Sequence, residues 1–390
     1  MIKVILKSGK DESVKRFHPW IFSGAIKKMS SEHIEGALVQ VFDNKDNFLG
    51  TGHYQKGSIA VRLISFEKED VDTAFWQRKL NSAYNYRKAC GITELPDTNT
   101  YRLVHAEADG MPGLIIDYYN GHLVFQAHSI GMHKQRHLFA DILQEIYSNR
   151  LKCIYDKSSD TLPFGYAAAN GFLFGAASKC QVVECGHHFI IDYVGGQKTG
   201  FFIDQRENRK LLSNYVKNKK VLNTFCYSGG FSIYALKHGA EMVHSVDSSK
   251  KALQMLEDNI MVNAVEKNNH TSFASDSLDF LKNSKEAYDI IILDPPAYAK
   301  HRNVRHNAVQ GYKRLNAEAL KRINSGGLLF TFSCSQVVNH ALFKATITSA
   351  AISAGRKTKI IHQLSQAVDH PVNVYHPESE YLKGLVLYVE

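Results

Sequence analysis

The stretch KVLNTFCYSGG, from Lys220 to Gly230, decides how the rest of the chain is organised. Its first half is apolar and typical of a buried strand, and a Ser-Gly-Gly turn then leads into a helix that we expect to open at Phe231. Paired glycines let the backbone bend sharply and approach a ligand closely, because no Cβ stands in the way. Asp247 ends the next apolar run, MVHSVD, where a carboxylate can bind the hydroxyls of a ribose. A nucleotide-like ligand is the first hypothesis, but a tight strand-to-helix turn without a ligand would use the same glycines, and the glycine pair by itself favours that simpler interpretation.

Strand-like and helix-like segments alternate from Lys220 onward. Apolar runs such as YDIIILDPP and LLFTFSC are separated by amphipathic segments such as SKKALQMLEDNIMVNA. Such alternation requires a mostly parallel, doubly wound sheet with helices on both faces. We therefore predict an α/β domain over residues 191–390.

The preceding residues have a different character. Residues 1–70 contain short β-like runs (ALVQVFD, FLGTGHYQ, SIAVRLIS) between Gly, Asp and Asn turns, which predicts a small β-barrel. Residues 71–190 begin with an amphipathic helix from Asp72 to Cys90. Three β-like runs broken by Asp-Gly, Pro-Gly and Asn-Gly follow it, and then a helix from about Lys134 to Ser148. We predict a central α+β domain there.

The composition limits the class of protein. The chain has 390 residues, 44% of them hydrophobic, and no apolar run approaches the roughly twenty residues that span a bilayer. Six irregularly spaced cysteines without an export signal indicate reduced thiols, so we expect a cytoplasmic protein without a membrane partner. The net charge of +9 favours a nucleic-acid partner. The sequence leaves open whether the chain forms a homodimer.

Two segments carry candidate nucleic-acid contacts. The first interleaves basic and aromatic side chains, which can pair with phosphates and stack on bases, although a hydrophobic plug would look similar. The second is a basic segment after the DPP turn that can clamp phosphates or lie solvated on the surface. The candidate residues are Arg16, His18, Trp20, Lys300, Arg302 and Arg305.

The ends of the later strands identify the cofactor class. Ligands of open α/β sheets bind beyond the carboxyl ends of the strands. The first turn lacks the G-x-G-x-x-G of a dehydrogenase, and no Lys-Ser or Lys-Thr pair follows its glycines as in a P-loop. We therefore predict S-adenosylmethionine, with Gly229 and Gly230 beside its amino-acid part, Asp247 on its ribose and Asp276 near its adenine. Asp276 can equally cap the helix that begins with SLDFL.

Cys334, in the run TFSCS, is the candidate nucleophile. The commonest role of such a residue is that of a buried structural thiol. At this strand end, however, its thiolate could add to C6 of a cytosine, so that C5 takes a methyl group and then loses its proton. A free thiol has a pKa of about 8.5, so nearby positive charge or a helix start is needed, and the segment from Lys300 to His306 is a candidate source of the charge. Asp294, before two prolines, can orient a base edge.

A metal site is the alternative for the Cys180 to His188 run, which contains two cysteines and two histidines. Zinc sites usually show closer cysteine pairs matched by a second pair, so we interpret Cys180 and Cys185 as structural and predict no metal.

The chain resembles the bacterial large-subunit (23S) ribosomal RNA cytosine-5 methyltransferases that carry an N-terminal PUA domain, a central α+β domain and a class I methyltransferase domain. The resemblance extends over essentially the whole chain. It rests on RFHPWIFSGAI (16–26), KTGFFIDQRENR (198–209), VLNTFCYSGGFS (221–232), LDPPAYAK (293–300), TFSCS (331–335) and AVDHPVNVYHPESEYLKG (367–384).

The resemblance implies roles for individual residues. Cys334 would be the nucleophile, and Asp294 would help to hold the cytosine. The implied S-adenosylmethionine contacts are Gln205, Arg206, Asn223, Phe225, Cys226, Tyr227, Ser228, Gly229, Gly230, Asp247, Asp276 and Pro295. Related RNA methyltransferases with two cysteines carry one after the DPP proline, where this chain has Ala297 and Tyr298, so the base that removes the C5 proton stays unassigned; Asp369 and His370 are candidates.

Two other functions remain open from the sequence. One is a methyltransferase that modifies a purine ring or an exocyclic nitrogen, which needs no nucleophilic cysteine. The other is a ribosome-binding factor whose methyltransferase fold has lost its activity.

Overall fold

The structure is a computed structural model that describes residues 2–30, 34–265, 267–299 and 304–390. Its contacts divide the chain into two compact units. The first unit consists of Met1–Val182, Ile191–Ile203 and Val368–Ser379, and the second of Val183–Ile190, Asp204–Ala367 and Glu380–Glu390. The predicted boundaries near residues 70 and 190 do not coincide with this division, and the division into three domains stays a prediction.

The first unit begins with a six-stranded sheet in the order β2-β6-β5-β4-β1-β3. Alternate residues of its strands, among them Val39, Val41, Val61 and Leu63, form one apolar core, as the alternating sequence pattern predicts. The strands are β1 (Ile2–Leu6), β2 (Trp20–Phe22), β3 (Ile26–Met29), β4 (Leu38–Phe42), β5 (Phe48–Tyr54) and β6 (Ile59–Ser65), with the short helix α1 (Glu12–Lys15) between β1 and β2.

A five-stranded sheet in the order β11-β10-β9-β8-β7 follows in the same unit. The Asp72 side chain accepts a hydrogen bond from Phe75 N at 2.9 Å and so caps the predicted first helix. The elements are α2 (Thr73–Ala89), β7 (Thr100–His105), β8 (Leu114–Tyr119), β9 (His122–Ala127), α3 (Ile130–Lys134), α4 (Arg136–Tyr147), β10 (Cys153–Asp156) and β11 (Gly171–Phe174). Strands β7, β8 and β9 pair antiparallel, so the predicted meander is confirmed.

A two-stranded sheet formed by β12 (Gln181–Glu184) and β13 (His187–Ile190) precedes the last group of elements. That group contains α5 (Arg206–Ser213), β14 (Lys220–Thr224), α6 (Gly230–Lys237), β15 (Met242–Asp247), α7 (Lys250–Val262), β16 (His270–Ala274), α8 (Ser277–Asn283), β17 (Tyr288–Leu293), α9 (Arg305–Arg322), β18 (Ile323–Ser333), α10 (His340–Ala354), β19 (Thr358–Leu364) and β20 (Lys383–Val389).

The second unit is built on a seven-stranded sheet in the order β16-β15-β14-β17-β18-β20-β19. The first five of these strands are parallel to one another, and β20 runs antiparallel to both β18 and β19. The strand order reverses between β14 and β17, and helices connect the parallel strands on either side of that point. The predicted doubly wound, mostly parallel sheet is confirmed, and its reversal point is where such sheets bind ligands.

Among the residues that the structure describes, no helix combines the length and the apolar character that crossing a bilayer requires.

Candidate active site

The glycine loop after β14 has an unusual backbone. Phe225, Tyr227 and Gly229 have positive φ angles of 53°, 46° and 82°. Such angles are costly for residues with a Cβ and persist where the surrounding structure enforces them. A Cβ on Gly229 would lie 2.0 Å from Leu256 Cδ1, so a larger residue fits there only if Leu256 moves. The sequence placed the helix start at Phe231, and α6 begins one residue earlier, at Gly230.

Hydrogen bonds from neighbouring elements hold this loop. The Tyr227 N–H donates to Asp247 Oδ2 at 2.9 Å, and the Ser249 N–H donates to Asp247 Oδ1 at 2.9 Å. The Asn259 side chain on α7 donates to the Ser228 carbonyl at 2.9 Å. The Asp247 carboxylate thus fixes the loop backbone, and each oxygen has a second lone pair with which it can bind a ribose hydroxyl.

Two other predicted cofactor residues have structural partners. Asn223 is buried, and its Nδ2 donates to Ser232 Oγ at 2.8 Å. Asp276 Oδ1 accepts from Leu278 N at 2.8 Å and Asp279 N at 3.0 Å, so this residue caps α8. The cap that the sequence offered as an alternative is present, and it leaves Oδ2 of Asp276 for a further contact.

The DPP and TFSCS segments meet at the ends of β17 and β18. Leu293 and Thr331 are paired in the parallel register, which places the residues after them side by side. Cys334 Sγ donates to the Pro295 carbonyl at 3.8 Å, and Ser335 Oγ donates to the Ala299 carbonyl at 2.6 Å. The half-buried Cys334 thiol therefore lies against the backbone of the DPP turn.

Asp294 is oriented by a side chain from another element. Gln205 Nε2 donates to Asp294 Oδ2 at 3.0 Å, and Gln205 Oε1 accepts from Asn208 Nδ2 at 2.6 Å. Gln205 is buried, and its bond with Asn208 is buried as well, whereas its bond with the half-buried Asp294 is partly buried. The structure thus connects Gln205, a predicted cofactor contact, to the predicted cytosine contact Asp294.

A buried ionic cluster lies beneath the glycine loop, and the sequence did not predict it. Glu184 accepts bidentate hydrogen bonds from Arg209 at 2.9 and 2.8 Å, and one from the Tyr234 hydroxyl at 3.0 Å. Arg206 Nε lies 3.6 Å from Glu184 Oε2. A Cβ on Gly230 would lie 3.1 Å from Arg209 Cδ, which shows how closely the cluster packs against the start of α6. Arg206, a predicted cofactor contact, is in this structure a partner of Glu184.

The predicted nucleic-acid contacts are distributed over both units. Arg16 is exposed in the first unit, and Arg305 is exposed at the start of α9 in the second. Trp20 Nε1 donates to Glu107 Oε1 at 2.8 Å, so the indole is anchored and half-buried. Lys300 and Arg302 lie outside the described residues.

Three side chains of the first unit have the composition of a metal site. The ligand atoms of His18, His376 and Glu378 lie within 4.8 Å of one another. However, the Trp20 N–H donates to His18 Nδ1 at 3.2 Å, so the ring proton is on Nε2, which faces Glu378 Oε2 at 3.4 Å. A protonated Nε2 has no lone pair for a metal, and the group is explained as a hydrogen-bonded pair beside a buried histidine.

The other candidate metal ligands and the candidate bases also have structural contacts. Cys180 Sγ donates to the Tyr119 carbonyl at 3.6 Å, and the His187 ring stacks on Tyr234 with centroids 3.8 Å apart. Asp369 Oδ2 accepts from Arg102 N at 3.0 Å. His370 Nδ1 lies 3.0 Å from Asp369 Oδ1, and both residues are buried in the first unit, whereas Cys334 belongs to the second.

Comparisons with known proteins agree with this fold. Residues 4–66 match the PUA-like domain family, and residues 166–358 match the family of S-adenosylmethionine-dependent methyltransferases. A solved structure of a candidate SAM-dependent methyltransferase from Streptococcus mutans covers 99% of this chain and 100% of its own, with 24% identity and a TM-score of 0.86. Another, of a candidate methyltransferase complexed with SAH, has 25% identity, a TM-score of 0.87 and the same coverage. The class is therefore an α/β methyltransferase with an N-terminal PUA-like domain.

The family follows from a full-length relative. The protein of Tolumonas auensis named "Ribosomal RNA large subunit methyltransferase I" is 37% identical over 395 residues, which cover 98% of each chain. This chain belongs to the family of S-adenosylmethionine-dependent methyltransferases that includes that protein. Its glycine loop fits the cofactor, because Gly229 and Gly230 keep the turn free of side chains and Asp247 stands at the end of the adjacent strand.

Proposed function

We propose that the protein methylates C5 of a cytosine in large-subunit ribosomal RNA through a covalent bond between Cys334 Sγ and C6. The observation that carries the proposal is the contact between Cys334 and the Pro295 carbonyl, which brings a thiol to the carboxylate-bearing DPP turn at the ligand-binding edge of the sheet. A methyltransferase that modifies an exocyclic nitrogen has no use for a thiol at this position.

The chemistry assigns a task to each residue. The Cys334 thiolate adds to C6, and the electron pair of the broken C5=C6 π bond moves to C5, where conjugation with C4=N3 gives a C4=C5 enamine with a nucleophilic C5. S-adenosylmethionine, held by the glycine loop and Asp247, supplies the methyl group. A base then removes the C5 proton, and the electron pair expels the thiolate from C6. Asp294, oriented by Gln205, holds the amino edge of the cytosine while the adduct forms.

Three observations support an RNA substrate. The relative from Tolumonas auensis is named for large-subunit ribosomal RNA, and the N-terminal residues match a PUA-like domain. The net charge of +9 favours a polyanionic partner. A cytosine in large-subunit ribosomal RNA is the substrate that agrees both with these observations and with the proposed chemistry of Cys334.

The direct test replaces Cys334 by alanine. We expect Cys334→Ala to lower the rate of RNA methylation by at least about 10³-fold, because the covalent route is lost. Affinity for S-adenosylmethionine, measured by calorimetry, should stay within about twofold, since the loop is unchanged. Cys90→Ala is the matched control, because Cys90 is exposed on the first unit, and it should retain full activity. A fully active Cys334→Ala enzyme would instead indicate nitrogen methylation.

A different outcome would favour the inactive-factor alternative. If the unmutated protein binds no S-adenosylmethionine at millimolar concentration, the glycine loop does not hold a cofactor and the proposal fails. Loss of cofactor binding on Asp247→Ala is the corresponding positive result.

A further inference from the structure

A buried lysine lies at the strand end that carries Cys334. Lys383 is the first residue of β20 and is paired with Ser333 in the antiparallel register, directly before Cys334 in the chain. Its side chain is 3% exposed. The register therefore places a cationic side chain at the end of β18 that delivers the thiol.

The hydrogen bonds of Lys383 hold its ammonium at this strand end. Nζ donates to the Ser335 carbonyl at 2.8 Å and to the Tyr381 carbonyl at 2.6 Å. Ser333, the register partner, and Ser335, the acceptor, are the two residues on either side of Cys334. Because both acceptors are carbonyl groups without formal charge, these bonds fix the position of the ammonium and do not neutralise it.

Electrostatic coupling connects the same two side chains. Burial lowers the pKa of Lys383 to about 8, and negative charge on Cys334 is the largest influence in the opposite direction, ahead of Glu380. The ammonium is thus still mostly protonated at pH 7. Coupling is reciprocal: if a thiolate raises the pKa of the lysine, the ammonium lowers the pKa of the thiol by the same free energy.

Other titratable groups lie on the elements around the pair. Burial raises the pKa of Tyr312 on α9, and negative charge on Cys334 raises it further, so the phenol stays neutral. Glu380 is exposed and lies 3.0 Å from His340. Asp294, at the end of β17, accepts from Gln205. Of these groups, Lys383 is the one that brings a fixed positive charge.

We propose that the Lys383 ammonium stabilises the Cys334 thiolate and so keeps the nucleophile ionised near neutral pH. Lys383 is a positioning residue, because it acts through Cys334. The inference rests on the proposed role of Cys334 as nucleophile. The inference adds Lys383 to the segment from Lys300 to His306, which stays a predicted source of positive charge, and it gives a role to a lysine within the AVDHPVNVYHPESEYLKG motif that the sequence left without one.

The test measures the pH dependence of Cys334 alkylation by iodoacetamide on the full chain without RNA, with peptide mass spectrometry to resolve the six cysteines. In the unmutated protein we expect a midpoint clearly below the ordinary thiol pKa of about 8.5. Lys383→Met should raise the midpoint by about one pH unit or more. The rate at pH 7 should fall only about three- to tenfold, since a thiolate of higher pKa is intrinsically more nucleophilic. Lys383→Arg should restore part of the shift.

The matched control is Lys359→Met, which removes an exposed lysine from the neighbouring strand β19 and should leave the midpoint unchanged. A Lys383→Met midpoint equal to that of the unmutated protein would overturn the proposal. If Lys383→Met does not fold, the unmutated profile decides, because a midpoint at or above about 8.5 contradicts thiolate stabilisation. If Cys334→Ala is active while Lys383→Met still raises the midpoint of Cys334 alkylation, the proposed function is refuted and the coupling between Lys383 and Cys334 stands.

Discussion

At the scale of single residues, Gly229 is a position where both the backbone angle and the available space restrict the residue type. Its φ of 82° is accessible to other residues at a cost of about 1 to 2 kcal/mol. The contact with Leu256 adds a steric overlap that is relieved only by a movement of the buried Leu256 side chain or of α7, which carries it. Since α7 also carries Asn259, which holds Ser228, such a shift would disturb the loop from two sides.

We therefore expect Gly229→Ala to weaken S-adenosylmethionine binding at least about tenfold, as measured by calorimetry. Gly239→Ala is the matched control, because Gly239 has nearly the same φ of 83°, but its added Cβ would meet only Lys217 Cγ, at 3.8 Å. Gly239→Ala should lose about 1 kcal/mol of stability through backbone strain and keep its cofactor affinity. Equal affinities in the two variants would show that the Leu256 contact does not shape the loop.

At the scale of elements, the Glu184 cluster joins β12, α5 and α6 within the second unit. Glu184, Arg206 and Arg209 are almost completely buried. Removing one partner of a buried ion pair leaves uncompensated charge in a medium of low dielectric constant, which typically costs 3 to 5 kcal/mol. The cluster therefore supports the helix that begins at the glycine loop.

Glu184→Gln should accordingly lower the free energy of unfolding by about 3 kcal/mol, measured by urea denaturation. The control is Glu318→Gln, which breaks the exposed pair with Lys321 and should change stability by less than about 0.5 kcal/mol. If Glu184→Gln lowers the free energy of unfolding by less than about 1 kcal/mol, other groups compensate the charge of the buried arginines.

The elements also show which features the sequence could reveal. Alternation of apolar runs and amphipathic segments predicted the strands and helices from β14 to β20, because hydrophobic periodicity is local. The strand ends that carry Asp247, Asp294 and Cys334 followed from the parallel topology. Glu184 and Lys383 were missed as partners of the site because their pairing depends on tertiary packing and on the register between β18 and β20. A buried charge has no local sequence signal.

At the scale of the whole molecule, the net charge of +9 predicts that affinity for RNA falls as the salt concentration rises. Arg16 and Arg305 are exposed candidates for phosphate contacts. Each phosphate contact contributes about 0.7 to 0.9 to the slope of log affinity against log salt concentration.

The double variant with Arg16→Gln and Arg305→Gln should reduce this slope by about 1.4 to 1.8, measured by filter binding between 50 and about 300 mM salt. The control removes Arg78 and Lys359, which pair with Glu69 and Glu390, and should change the slope less. An unchanged slope in the first variant would exclude both arginines as phosphate contacts.

Mapping 5-methylcytosine in large-subunit ribosomal RNA tests whether the protein methylates a cytosine through Cys334. The RNA comes from three strains that lack the chromosomal gene and carry the unmutated protein, Cys334→Ala or neither. We expect one cytosine that is methylated with the unmutated protein and unmethylated with Cys334→Ala or without the gene. Methylation of the same cytosine in all three strains would contradict it, as would a methyl group on a ring or exocyclic nitrogen that depends on the gene and persists with Cys334→Ala.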